Sequence, residues 1–130
     1  MTVNYKSVFD IIGPIMIGPS SSHTAGACAI GRAANSIFRD KPTDIVIHYY
    51  ESFAQTHKGH GTDYAIISGI LGFDPDDSRV PYAIGLARDQ GMNITFIEEP
   101  GDSPINHPNT AIIDLKNDDK QVTVAGCSIG

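Results

Sequence analysis

Several residue types are scarce in this 130-residue chain, and each shortage argues against a class of protein. Lysine and arginine number nine against fifteen aspartates and glutamates, which gives a formal net charge of −6. This balance disfavours a nucleic-acid partner, because phosphate binding needs clustered basic side chains. No apolar run approaches the roughly 20 residues that span a bilayer, and the first residues contain no apolar signal core. These shortages predict a cytoplasmic protein that binds neither nucleic acid nor membrane.

Cysteine is also scarce, with two residues, Cys28 and Cys127, far apart in the sequence. Neither belongs to a CxxC pair, so the pattern indicates two reduced thiols, with a disulfide as the alternative. A 4Fe-4S cluster held wholly by cysteine takes about four thiolates. Any such cluster must therefore be ligated mainly by another chain.

The spacing of apolar residues predicts helices and strands mixed along a single domain over residues 1–130. Helices are predicted over 5–12, 24–39, 62–71 and 82–90, and strands over 44–50, 93–99, 110–116 and 121–126. The last two strands flank residues 117–120, the clearest hairpin signal. The predicted fold is an α+β two-layer sandwich, with about four strands in a largely antiparallel or mixed sheet and helices on one face. The closing hairpin has no crossover helix, which disfavours a purely parallel sheet.

The first polar loop, Gly18-Pro-Ser-Ser-Ser-His-Thr24, leads into a predicted helix. Hydroxyl groups beside the free N–H groups of a helix start favour a carboxylate or phosphate. Two alternatives stay open at this loop. The serines are also preferred helix caps, and one could be a nucleophile, although the Gly-x-Ser-x-Gly elbow is absent.

A second polar loop, Thr56-His-Lys-Gly-His-Gly-Thr-Asp63, follows the first predicted strand. His60 lies between two glycines, which leaves room for a ligand beside its ring, and histidine transfers protons near neutral pH. One alternative is an ordinary polar loop. Another is half of a metal site at His57 and His60, for which the spacing identifies no further ligands.

A third loop, Ser103-Pro-Ile-Asn-His-Pro-Asn-Thr110, is stiffened by two prolines. It would hold His107 and Asn109 in fixed positions, where they could bind a small polar molecule. The alternative is a turn in which Asn109 bonds its own backbone. The remaining histidine, His48, alternates within a strand and is interpreted as a packed or edge residue.

At these loops the chain resembles the bacterial iron–sulfur L-serine dehydratases. The resemblance is carried by Gly18-Pro-Ser-Ser-Ser-His-Thr24, by Lys58-Gly-His-Gly-Thr-Asp63 and by the terminal Cys127-Ser-Ile-Gly130, and it covers essentially the whole chain. One departure is visible, since the family often continues the first motif with a bulky residue, Gly and Pro. Here the continuation is Ala25-Gly26-Ala27.

The resemblance implies the β subunit or β domain of an enzyme that converts L-serine to pyruvate and ammonia. It implies a 4Fe-4S cluster that is ligated by an α subunit, and a fold similar to the allosteric substrate-binding domain of some phosphoglycerate dehydrogenases. A small ACT-type regulatory domain is expected to follow this domain. The isolated chain is expected to be inactive.

On this basis we assign expected catalytic or substrate-binding roles to nine residues. The expected catalytic residues are His60 and His23; the expected substrate-binding residues are Ser20, Ser21, Ser22, Thr24, Lys58, Thr62 and Asp63. No metal ligand is expected in this chain. Two alternatives stay open: a serine-binding regulatory module that uses His107 and Asn109 as an effector site, and a structural domain that forms a homodimer through its sheet.

Overall fold

The computed structural model of the chain describes residues 11–17, 23–57, 61–104 and 109–128. Within these ranges the strands are β1 (Ile11–Ile17), β2 (Asp44–Tyr50), β3 (Asn93–Glu98), β4 (Asn109–Lys116) and β5 (Gln121–Ser128). The helices are α1 (His23–Phe38), α2 (Glu51–Thr56), α3 (Thr62–Ile70) and α4 (Ala83–Asp89), the last preceded by a 3-10 turn at Val80–Tyr82. No helix in the described ranges combines the length and apolar character needed to cross a bilayer.

The strands form one mixed sheet in the order β1-β5-β4-β2-β3. β1 is parallel to β5 and β2 is parallel to β3, while β4 is antiparallel to both β5 and β2. Four strands therefore run in one direction and β4 alone runs in the other. The predicted α+β sandwich with a mixed sheet and the closing hairpin are confirmed, and the sheet has one strand more than expected.

The additional strand is β1, where the sequence predicts a helix over 5–12 and a loop over 13–24. That prediction is wrong for residues 11–17, while residues 5–10 and 18–22 lie outside the described part of the chain. Residues 11–17 pair with β5 from Ile11 opposite Thr123 to Ile17 opposite Ser128, with a shift in register between Ile12 and Ile15. Gly13 and Pro14 fall at that shift. β1 is an edge strand, where a proline removes no ladder bond that the sheet needs.

The core lies between the helices and one face of the sheet. Alternate residues of β2, namely Ile45, Ile47 and Tyr49, are fully buried on this face, and Ile113 and Leu115 of β4 lie beside them. Fully burying a side chain of this size contributes about 1.5–3 kcal/mol. The intervening residues of β2 face the other side and are half-buried. Among the described residues, no helix covers that second face.

His48 lies on this second face, where it bridges three strands. Its Nδ1 is 2.7 Å from a carboxylate oxygen of Glu99, just after β3, and its Nε2 is 3.1 Å from one of Asp114 on β4. The side chain is 23% exposed. The interpretation of His48 as a packed residue is confirmed, and the two carboxylates give it a cross-strand role in the sheet.

Candidate functional site

One edge of the sheet brings together the chain segments that flank every predicted site residue. The parallel strands β1, β5, β2 and β3 all end there, at Ile17, Ser128, Tyr50 and Glu98, and β4 begins there at Asn109. In open sheets with parallel strands, ligands bind beyond the carboxyl ends of the strands. β1 and β2 are three strand spacings apart, or about 14 Å. This edge is therefore the candidate site.

Several predicted residues begin an element next to this edge. His23 and Thr24 are the first residues of α1, Thr62 and Asp63 are the first residues of α3, and Asn109 is the first residue of β4. The others lie outside the described residues: Ser20, Ser21, Ser22, Lys58, His60 and His107. The roles assigned to all of them stay predictions.

His57, for which the sequence offered only the alternative of half a metal site, is the centre of the described site. It follows α2 and is 1% exposed. Its Nδ1 lies 2.6 Å from Asp63 Oδ1, and its Nε2 lies 2.6 Å from Glu98 Oε2 at the end of β3. An imidazole fixed by a carboxylate on each ring nitrogen is a rigid part of the edge. No group of three or more His, Cys, Asp or Glu residues suited to a metal ion occurs in the described ranges.

Tyr49 contacts both His57 and Asp63. Together with Glu98, these residues form the His57 cluster. The Tyr49 ring stacks on the His57 ring with centroids 4.3 Å apart and the planes at 25°. Its hydroxyl donates to the same Asp63 oxygen at 2.8 Å. Burial and the neighbouring Asp63 carboxylate raise the pKa of Tyr49, so its hydroxyl keeps its proton and acts as a donor. Asp63 thus accepts from two buried donors, in addition to any role toward His60 or the substrate.

Gly61 and Thr62 connect residues 58–60 to α3. Gly61 has φ +72°, a backbone conformation that favours glycine, and a Cβ on it would also lie 2.6 Å from the hydroxyl of Tyr64, whose side chain would have to move. The Thr62 side chain is fully buried, and its hydroxyl has no partner among the described residues. A buried hydroxyl without a partner is costly, which makes Thr62 a candidate for a contact with residues 58–60 or with a ligand.

An acidic cleft of about 610 Å³ lies beside the His57 cluster. Its charged lining residues are Glu51, Glu98, Glu99 and Asp102. Glu98 belongs to both the cleft and the His57 cluster, since its carboxylate also contacts the imidazole. The concentration of negative charge favours a cationic group such as an ammonium ion over an anion.

The third loop is closed at its base by a buried hydrogen bond. The hydroxyls of Ser103 and Thr110 lie 2.8 Å apart, and the Ser103 N–H donates to Glu51 Oε2 at 2.8 Å. These bonds tie Ser103 and Thr110 to each other and to α2. The predicted effector role of His107 and Asn109 stays a prediction.

The two cysteines do not fit a cluster-ligand set. Both cysteines are buried and neither is in a disulfide, and Cys28 accepts a hydrogen bond from the Ser68 hydroxyl. Burial raises the pKa of the Cys28 and Cys127 thiols, which opposes the thiolate form that binds iron. Ligation of the 4Fe-4S cluster by an α subunit, as the resemblance implies, stays a prediction.

Shielding of these thiols gives a direct prediction. In the native chain, Cys28 and Cys127 should react with Ellman's reagent at least about tenfold more slowly than in the urea-unfolded chain, because burial suppresses both access and ionisation. Absorbance at slightly alkaline pH, with and without urea, measures both rates. A fast native phase equal to one thiol would contradict the burial of that thiol.

The fold and this edge define the chain as an α+β domain whose candidate site lies where parallel strands end. Residues 7–125 match the family described as serine dehydratase beta chain. The match covers most of the 130 residues, and the chain belongs to this family.

Individual relatives carry consistent names. The chain is 52% identical over 128 residues to "Probable L-serine dehydratase, beta chain" of Bacillus subtilis (strain 168). The aligned residues cover 98% of this chain and 57% of that protein. The chain is 44% identical over 127 residues to "L-serine dehydratase, beta chain" of Peptoniphilus asaccharolyticus, covering 95% and 56%. "L-serine dehydratase TdcG" of Escherichia coli (strain K12) is 42% identical over 93 residues, covering 65% and 20%. The chain thus spans little more than half of the two β chains.

Proposed function

We propose that this chain is the β component of an iron–sulfur-dependent L-serine dehydratase, a lyase that converts L-serine to pyruvate and ammonia together with an α subunit. The main support is the match of residues 7–125 to the β-chain family, with two relatives that are themselves named β chains. Since the two buried thiols here do not suit a cluster, the 4Fe-4S group and its Lewis-acid chemistry are assigned to the α subunit.

The first task of the chain is to hold the substrate carboxylate. α1 is a helix of 16 residues with no acidic residue in its first turn, so the helix dipole there favours an anion. Ser20, Ser21, Ser22 and Thr24 surround the carboxylate in this proposal. Lys58 adds positive charge, and the buried hydroxyl of Thr62 is a further donor.

The second task is proton transfer. Loss of the α-proton and of the hydroxyl group removes one water, and the resulting enamine becomes an imine that takes up water to give pyruvate and ammonia. We assign removal of the α-proton to His60, and we place His23 toward the α subunit. Asp63 acts on His60 indirectly, because its carboxylate fixes both His57 and Tyr49 at the base of residues 58–60.

Co-expression with the α subunit under anaerobic conditions, followed by a pyruvate assay, tests this proposal. Pyruvate should form only when both chains are present, and His60→Ala should lower kcat by about 10²- to 10⁴-fold, the usual contribution of general acid–base catalysis. His48→Gln is the matched control, since His48 lies on the sheet face away from the helices, and it should keep normal turnover.

The competing function is a serine-binding regulatory module. It predicts normal turnover for His60→Ala and an altered serine response for His107→Ala. Full activity of the α subunit alone would likewise contradict a catalytic share for this chain.

A further inference from the structure

We propose that His57 is a positioning residue. Its imidazole donates from both ring nitrogens, and this ties the chain segment that enters residues 58–60 to the segment that leaves it and to the end of β3. The inference rests on the proposed function, in which residues 58–60 carry Lys58 and His60. His57 itself touches no substrate in this proposal.

Contacts at both ends of residues 58–60 support this role. The His57 N–H donates to the Phe53 carbonyl at 3.0 Å, which continues α2, and the Thr62 N–H donates to the His57 carbonyl at 3.1 Å. The side chain adds the 2.6 Å contact with Asp63 on α3. The two ends are therefore joined by one main-chain and one side-chain hydrogen bond, and Gly61 at φ +72° completes the turn.

The second ring nitrogen connects this turn to the sheet. Nε2 lies 2.6 Å from Glu98 Oε2, at the carboxyl end of β3. The Glu98 carboxylate is 50% exposed and lines the acidic cleft, while the imidazole is 1% exposed. His57 thus links α2, the start of α3 and the end of β3 from a position that solvent does not reach.

The hydrogen count indicates a ring that donates twice. Carboxylate oxygens accept hydrogen bonds, so a ring nitrogen without a proton would be repelled by the oxygen that faces it. Asp63 Oδ1 also accepts from the Tyr49 hydroxyl, so it already acts as an acceptor on that side. An imidazole that donates twice is positively charged. The carboxylates of Asp63 and Glu98 then pair with the charge of His57, as a buried charge requires.

A purely structural salt bridge would change stability and leave the kinetics of folded enzyme unchanged, whereas a positioning residue changes kcat. In the assembled α–β enzyme, His57→Phe keeps a ring against Tyr49 but removes both donors. We expect kcat to fall at least about tenfold, with KM changed less than about threefold, because displacement of the proton-transfer group affects the transition state more than substrate binding. His57→Gln, with one donor group, should lie between His57→Phe and the parent.

Two carboxylates provide a matched comparison. Glu98→Gln and Asp114→Asn each replace a carboxylate by an amide, but Glu98 contacts His57 on the helix face and Asp114 contacts His48 on the other face. Glu98→Gln should lower kcat in the same direction as His57→Gln, and Asp114→Asn should leave it unchanged. Should His57→Phe fail to fold, the comparison of His57→Gln with Glu98→Gln and Asp114→Asn still decides the outcome.

A spectroscopic measurement on the full chain is independent of activity. Nitrogen-15 NMR of the imidazole side chains should show both His57 nitrogens protonated, with the signals assigned by their loss in His57→Gln. A pattern with one bare nitrogen would overturn the double-donor geometry. Unchanged kcat in folded His57→Phe or His57→Gln would overturn the positioning role. If instead His60→Ala retained full turnover while the NMR pattern held, the proposed function would fail and the His57 geometry would stand.

Discussion

Gly69→Ala is expected to lower the free energy of unfolding by about 3 kcal/mol, the upper part of the usual range for overpacking. A Cβ on Gly69 in α3 would lie 2.1 Å from the Cys28 carbonyl oxygen and 2.6 Å from the Arg32 nitrogen, both main-chain atoms of α1. A Cβ on Gly31 in α1 would likewise lie 2.1 Å from the Ile66 carbonyl oxygen of α3. Since a main-chain atom cannot turn aside as a side chain can, the two helices must separate.

Urea unfolding followed by circular dichroism measures this effect. Gly85→Ala in α4 is the matched control, because nothing lies within 4 Å of a Cβ at that position. There alanine should stabilise the chain by about 0.5–1 kcal/mol through its better helix propensity. Equal urea midpoints for Gly69→Ala and the parent chain would contradict the close contact of α1 and α3.

Asp63→Ala should destabilise the chain by about 3 kcal/mol, because it leaves two buried donors without their acceptor. The Tyr49 hydroxyl and the His57 ring both lose the same carboxylate oxygen. Tyr49→Phe removes one of these hydrogen bonds together with its donor and should cost about 1 kcal/mol. The effects of Asp63→Ala and Tyr49→Phe should not add in the double variant, since the two residues share one bond.

An exposed aspartate provides the control for Asp63. Asp74 pairs with Arg32, and the two side chains are 66% and 47% exposed. Asp74→Ala should change the free energy of unfolding by less than about 1 kcal/mol, as for other exposed ion pairs. A loss for Asp63→Ala no larger than for Asp74→Ala would show that the His57 cluster contributes little to stability.

Elements with a clear local pattern could be predicted from the sequence. The helix predicted over 24–39 is α1, the strand over 44–50 is β2, and the hairpin around residues 117–120 joins β4 and β5. In each case the element is predicted by the spacing of its own apolar residues and by the residues at which it ends. The fold class follows from the order of such elements.

Elements that depend on distant contacts could not be predicted. β1 contains Gly13 and Pro14, which signal a break, and its partner β5 is at the other end of the described chain. α2 has six residues and begins at Glu51 with φ +49°, held in part by the Ser103 N–H. For the site, the His57–Asp63 contact is local, but Glu98 is 41 residues away in sequence. No spacing rule could have shown that His57 lies between two carboxylates.

The pairing of the first described strand with the last has a consequence during synthesis on the ribosome. Residues 11–17, with the sequence IIGPIMI, carry no charge, and their strand partner in the described part of the chain is β5, which is made last of the five strands. An uncharged, β-prone segment that waits for its partner is an aggregation hazard. Gly13 and Pro14 interrupt that segment at its centre, and proline is the residue that most strongly opposes stacking of identical strands. Gly13 and Pro14 resemble a break in the sequence pattern of β1. The same two residues therefore lower the tendency of the nascent chain to aggregate.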